Sequence, residues 1–212
     1  MKLTCPITGP KPYHHGDLRR ALLDAASRVL EREGPTALSL RAVAREAGVS
    51  PAAPYHHFKD KSELMLAISE EGFDQLYDFM RQSSDPDAPP MERVAAIGVA
   101  YVEFAKAHPS IYRVMYDCSR DLEALPDKAH KAEDGAFSLL KKAMIDLGVV
   151  SSDQEVDLEL ACIAAWCAAH GLAEMVGFRQ FDSLKAKMGG EKAFLAGVLS
   201  HLGTFGQARN RG

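Results

Sequence analysis

Ser39, Arg41, Tyr55, His56, His57 and Lys61 crowd into one stretch, SLRAVAREAGVSPAAPYHHFKDKSE, Ser39–Glu63. Their chemistry is that of anion and base-edge recognition. Arginine pairs bidentately with guanine O6 and N7, which makes Arg41 the candidate base reader. A phosphate or the neighbouring carboxylate of Glu46 is its alternative partner. Tyr55, His57 and Lys61 each donate a hydrogen bond or carry positive charge, which suits phosphate oxygens; such contacts fix register without reading sequence. Lys61 and Ser39 both stand at helix starts, where free backbone N–H groups and the dipole's positive end favour an anion.

The elements that must position these groups are two short helices and the start of a longer one. Ser39 is an N-cap residue, and Val43 and Ala47 recur one turn apart on a buried face. Gly48 stands where that helix stops, because the left-handed C′ position suits glycine. Ser50 is placed to cap a second helix, with Pro51 at its tolerated first position. Asp60 followed by Glu63 reads as a capping box opening the next helix, which Leu64, Ile68, Phe73, Leu76 and Phe79 continue to about Arg81. A helix, a glycine-containing turn and a second helix make a helix-turn-helix, whose second helix lies in a DNA major groove.

Ser39-x-Arg41-x-Val43-Ala44, Ala47-Gly48-Val49-Ser50, Tyr55-x-His57-Phe58 and Lys59-Asp60-Lys61-Ser62-Glu63-Leu64, with Tyr13–Ala26 upstream, resemble the DNA-binding domain of the TetR family of bacterial transcriptional regulators. The resemblance covers roughly the first third of the chain. It implies DNA contacts from Ser39, Arg41, Tyr55, His57 and Lys61, and a homodimer that binds a palindromic operator and is released by a small-molecule effector. One departure stands out. Pro51-Ala52-Ala53-Pro54 precedes Tyr55, and Pro54 lacks the N–H that would bond back to Ser50, so a distorted or late-starting helix is expected. Ser50, Pro51, Ala52 and Ala53 remain candidate contacts. The prolines and alanines offer no side-chain hydrogen bonds, so their readout is apolar, toward thymine methyls. Discrimination then falls on Arg41, His56 and DNA shape.

Charge divides in the same place. Residues 1–62 carry ten basic and six acidic side chains, whereas the rest carries fifteen and twenty-three. A basic first part on an acidic body suits a DNA reader joined to something that avoids DNA, although chance would produce such a split too. The expected organisation is a flexible arm over 1–13, in which Lys11, with His14 and His15 just beyond it, lies near phosphates or in solvent, then a reader over 14–62. A helical effector-binding and dimerisation domain over 63–212 follows, and the boundary falls inside the helix that starts at Lys61. Asp17–Glu33, with Leu18, Leu22, Ala25, Val29 and Leu30 on one stripe, supports the reader.

Everything after Pro90 reads as helix: Met91–Lys106, Ser110–Cys118, Leu122–Leu147, Asp157–Phe178 and Glu191–Phe205. The class is all-α. Asp157–Phe178 is apolar over much of its circumference. With the Phe194, Leu195, Val198, Leu199, Leu202 stripe of Glu191–Phe205 it makes a candidate four-helix dimer interface, a buried monomer core being the alternative. By the family resemblance, residues 91–147 would enclose an effector cavity. Tyr101, Phe104, Tyr112, Met115 and Tyr116 are the candidate walls, joined by Trp166 and His170 one turn apart. Ordinary core packing is the alternative for each. Trp166-x-x-x-His170-Gly171 resembles a motif in the C-terminal domains of one subgroup of the family.

Four cysteines, 5, 118, 162 and 167, form no framework. Cys162 and Cys167 lie roughly 7.5 Å apart along a helix axis, too far to bridge, so free thiols and a reducing cytoplasm are expected. No signal peptide is visible, and the uncharged run Leu160–Ala169 falls short of the roughly twenty residues of a membrane span. The chain carries no Gly-rich phosphate loop, nucleophile elbow or paired metal motif, so no catalytic residue, metal or cofactor is assigned. An all-helical enzyme binding a small molecule, or a protein-interaction module without DNA binding, are the competing functions.

Overall fold

The computed structural model describes residues 18–120, 135–148 and 155–207, with side chains for 18–117, 135–148 and 155–201. The expected arm 1–13, His14 and His15, residues 122–134 of the expected helix Leu122–Leu147, and the side chains of Cys5, Cys118, Leu202 and Phe205 lie outside these residues. The chain divides into two compact units between Leu64 and Met65, against the expected 62/63.

The first unit begins with α1, Leu18–Glu33, which buries Leu22, Leu23, Ala25, Ala26, Val29 and Leu30. Helix α2, Leu40–Ala47, starts where Ser39 Oγ accepts from the Ala42 N–H at 3.1 Å. It stops at Gly48, whose φ of 69° and ψ of 29° are left-handed. A four-residue 3-10 turn, Ala53–His56, follows. Asp60 Oδ1 accepts from the Glu63 N–H at 3.0 Å, and Glu63 Oε2 reaches back to the Lys59 N–H at 2.6 Å. That reciprocal pair opens α3, Lys61–Ser83, which continues into the second unit. Phe58 and Leu64 complete the small core; burying a side chain of that size contributes about 1.5–3 kcal/mol. Glu46 straps α2 to α1, accepting from Arg28 at 3.0 Å and from Arg32 at 2.9 Å.

The second unit is helix on helix. Its central member is α4, Pro90–Ala107, buried nearly continuously from Ala95 to Ala105. It packs against α6, Ala136–Leu147, α7, Glu155–Met175, and α9, Glu191–Gln207. Helix α5, Pro109–Arg120, lies close to α3: Ser69 Oγ donates to the Met115 carbonyl at 3.3 Å. A Cβ on Gly72 would stand 2.7 Å from Met115 Cγ. No strand occurs among the described residues, and the fold is all-α.

Three expectations need correction. Helix α7 ends at Met175 rather than Phe178, and a 3-10 turn, Arg179–Phe181, and α8, Asp182–Lys187, follow it. That segment leaves little mark in the sequence because its elements of three and six residues are too short for a helical period; Lys185 holds it by donating to the Val176 carbonyl and pairing with Glu191. Phe194, Leu195 and Leu199 are buried within their own unit, so most of the expected interface stripe of α9 is core. Lastly, α7 as a whole is long and apolar enough to cross a membrane by length and composition, although its uncharged run is not. It carries a face open to solvent: Val156, Leu160 and Ile163 are 71, 58 and 50% exposed.

Candidate nucleic-acid interface and tyrosine–histidine cluster

The distortion expected at Pro54 is present, and its cause is visible in the backbone bonds. With no N–H at Pro54, the chain closes three residues back instead of four. The Ala53 N–H bonds to the Ser50 carbonyl at 3.0 Å, and the Tyr55 N–H to the Ala52 carbonyl at 3.1 Å. The Pro54 carbonyl accepts from both His57 and Phe58, at 3.0 and 2.9 Å. Ser50 does not cap the turn as expected: Ala52 holds the N-cap position, without a side-chain bond. Pro54 itself is buried, while Ser50, Pro51, Ala52, Tyr55 and His56 are exposed and Ala53 and His57 half-buried. Tyr55 is 53% exposed, which is unusual for so large an apolar ring and leaves its hydroxyl free to meet a partner.

Ser39 and Arg41 are exposed at the start of α2. Arg41 is not paired with Glu46, whose carboxylate is taken up by Arg28 and Arg32 and is held below the usual carboxylate range by those hydrogen bonds. Lys61 is exposed, and its ammonium donates to the Pro35 carbonyl at 2.9 Å. Two of its three N–H groups remain for an anion. Arg45, which no motif singled out, is exposed one turn beyond Arg41; its i,i+4 spacing from Arg41 is the signal that could have found it.

In the second unit, five of the seven candidate effector residues converge. Trp166 Nε1 donates to Tyr116 Oη at 3.2 Å. Tyr116 and Tyr101 hydroxyls meet at 2.5 Å, Tyr101 and Tyr112 at 3.2 Å. Tyr112 Oη lies 2.6 Å, and Tyr101 Oη 3.0 Å, from His170 Nδ1. Indole N–H only donates, so one consistent direction runs from Trp166 to Tyr116 to Tyr101 to Tyr112 to His170 Nδ1. The rings interlock as well, His170 stacking on Tyr112 and standing edge-on to Tyr116. Burial raises the pKa of all three phenols, most for Tyr101, where the two neighbouring tyrosines add to it. Phe104 and Met115 are not part of this cluster. Phe104 packs on Phe79 and His108, and Met115, about 100° of helix turn from Tyr116, faces Gly72 on α3.

A glycine-turned pair of short elements, propped by α1 and presenting exposed guanidinium, phenol and imidazole groups, defines the class of this unit: a helix-turn-helix. Residues 22–68 match the family described as bacterial regulatory proteins, tetR family, and residues 94–197 match the tetracyclin repressor-like C-terminal domain. The chain belongs to the tetR family of bacterial regulatory proteins. It is 39% identical over 92 residues to the HTH-type transcriptional regulator BetI of Rhizobium meliloti (strain 1021), a match spanning 43% of this chain and 43% of that relative, less than half its length. A Rhodococcus sp. RHA1 protein of unknown function shares the fold with a TM-score of 0.70 and 29% identity, covering 94% of this chain and 98% of its own. A TetR-like transcriptional regulator from the same organism has a TM-score of 0.61 at 23% identity, over 90 and 95% of the two chains.

Proposed function

We propose that this protein is a ligand-responsive transcriptional repressor that binds a palindromic operator as a homodimer and leaves it when a small-molecule effector is bound. The observation that carries the reading is the exposed, uncommitted Arg41 beside the exposed Tyr55 and His56 on a glycine-turned reader. Arg41 reads a base, while Ser39, Tyr55, His57 and Lys61 anchor phosphates. The apolar Pro51-Ala52-Ala53 tip contributes shape and methyl contacts. One small reader binds weakly and salt-sensitively. Two of them about 34–36 Å apart engage successive major grooves. The exposed apolar face of α7 supports the dimer. The Tyr101, Tyr112, Tyr116, Trp166, His170 cluster supports an effector site, since a ligand that prefers one arrangement of these hydroxyls shifts the balance of states by its differential affinity.

Selection of bound genomic fragments by the purified protein, followed by release with candidate small molecules, tests the reading. The expected result is enrichment of one palindrome and its loss with at least one effector. Enrichment of no palindromic fragment would overturn it.

A further inference from the structure

The cations of the first unit are not used alike. Arg28 and Arg32 share Glu46, Arg20 pairs with Asp24, Arg19 lies over the Phe58 ring at 5.5 Å, and Lys61 caps the Pro35 carbonyl. Among the described residues of this unit, Arg41, Arg45 and Lys59 have side chains with no such commitment. Arg41 and Arg45 are four apart on the eight-residue helix α2, so they share one exposed face. Like charges at that spacing repel and cost a helix stability. Glu46, one residue on, turns instead toward α1, so it does not relieve them. A unit that engages its other described arginines, three with carboxylates and Arg19 with the Phe58 ring, and leaves this pair bare is suited to an external polyanion. In a helix-turn-helix the first helix crosses the sugar-phosphate backbone while the second enters the groove.

From this arrangement we infer that Arg45 is a second DNA anchor on α2, gripping a backbone phosphate one turn along from Arg41. The inference rests on the DNA-binding reading above and adds a residue which neither the motif nor the spacing argument assigned. Arg45 anchors without discriminating, because a phosphate contact carries no sequence information. Arg45 therefore contributes to affinity and salt dependence, and Arg41 to the choice of base.

The test is fluorescence anisotropy of the full-length protein on a duplex selected by the wild type, titrated across salt concentrations, for Arg45→Ala, Arg45→Lys and Arg41→Ala. Arg45→Ala is expected to weaken binding to all duplexes alike. It should flatten the plot of log affinity against log salt by about 0.9 for each phosphate no longer neutralised, about 1.8 for a dimer. Arg45→Lys keeps the slope. Thermal melting of Arg45→Ala is expected at or above the wild-type midpoint, since the change relieves a repulsion; a lower midpoint together with abolished binding would mark a structural role and overturn the proposal. Unchanged affinity and slope, or an altered preference at a single base pair, would overturn it too. Failure of the wild type to select any duplex would instead strike the underlying reading.

Discussion

Tyr101, Tyr112 and Tyr116 hold their protons against alkali because burial penalises phenolate. An unfolded tyrosine ionises near pH 10. A folded pKa above the unfolded one means the native state binds more protons through that range, so stability falls as pH rises past about 10. Titrated by tyrosinate absorbance alongside circular dichroism, these three of the six tyrosines are expected to ionise only as the helical signal is lost. All six titrating with helicity intact would contradict the cluster. The aromatic residues themselves were legible in the sequence as helically spaced, soft-walled side chains. Their mutual bonding was not: Tyr101 and His170 are separated by 69 positions, and no local pattern records a contact between helices so far apart in the chain.

At the scale of elements, what was legible was what is local. Ser39, Gly48 and the Asp60/Glu63 pair each act within four residues, and each does what its type and spacing imply. Pro54 belongs with them, since a missing N–H has a fixed consequence wherever the chain goes next. Replacing Pro54 with Leu restores that donor, lets the turn close onto Ser50 and extends the reading element. Operator affinity by anisotropy is expected to hold or rise, accompanied by a small gain in helical circular dichroism; complete loss of binding would show that the 3-10 geometry is itself needed. By contrast α8 escaped notice because six residues, DSLKAK, are too few to show a period, and its place depends on Lys185 reaching partners outside the helix.

For the whole molecule the proposed function turns on pairing through α7. Leu160 is 58% exposed in the protomer, so an aspartate there meets water in the single chain and a desolvation cost in a dimer. Leu160→Asp is expected to sediment as a monomer with unchanged helicity and to lose tight binding to the palindrome while keeping weak binding to a half-site. A stable dimer of this variant would move the interface away from α7. The exposed face was half legible. The sequence pattern marks α7 as apolar on most sides, but which side its own chain covers depends on α4, α6 and α9, and α9 spends most of its stripe on that cover.

The seat of Gly72 carries one more consequence. Met115 Cγ and Sδ occupy the space a methyl would need, and Ile111 closes the other side. Helix α3 thus packs, within the second unit, directly against the element that bears Tyr112 and Tyr116, and a methyl at Gly72 would force the Met115 side chain to move. A shift of α5 is therefore felt first at this stretch of α3, where the Gly72 backbone and the Met115 side chain meet.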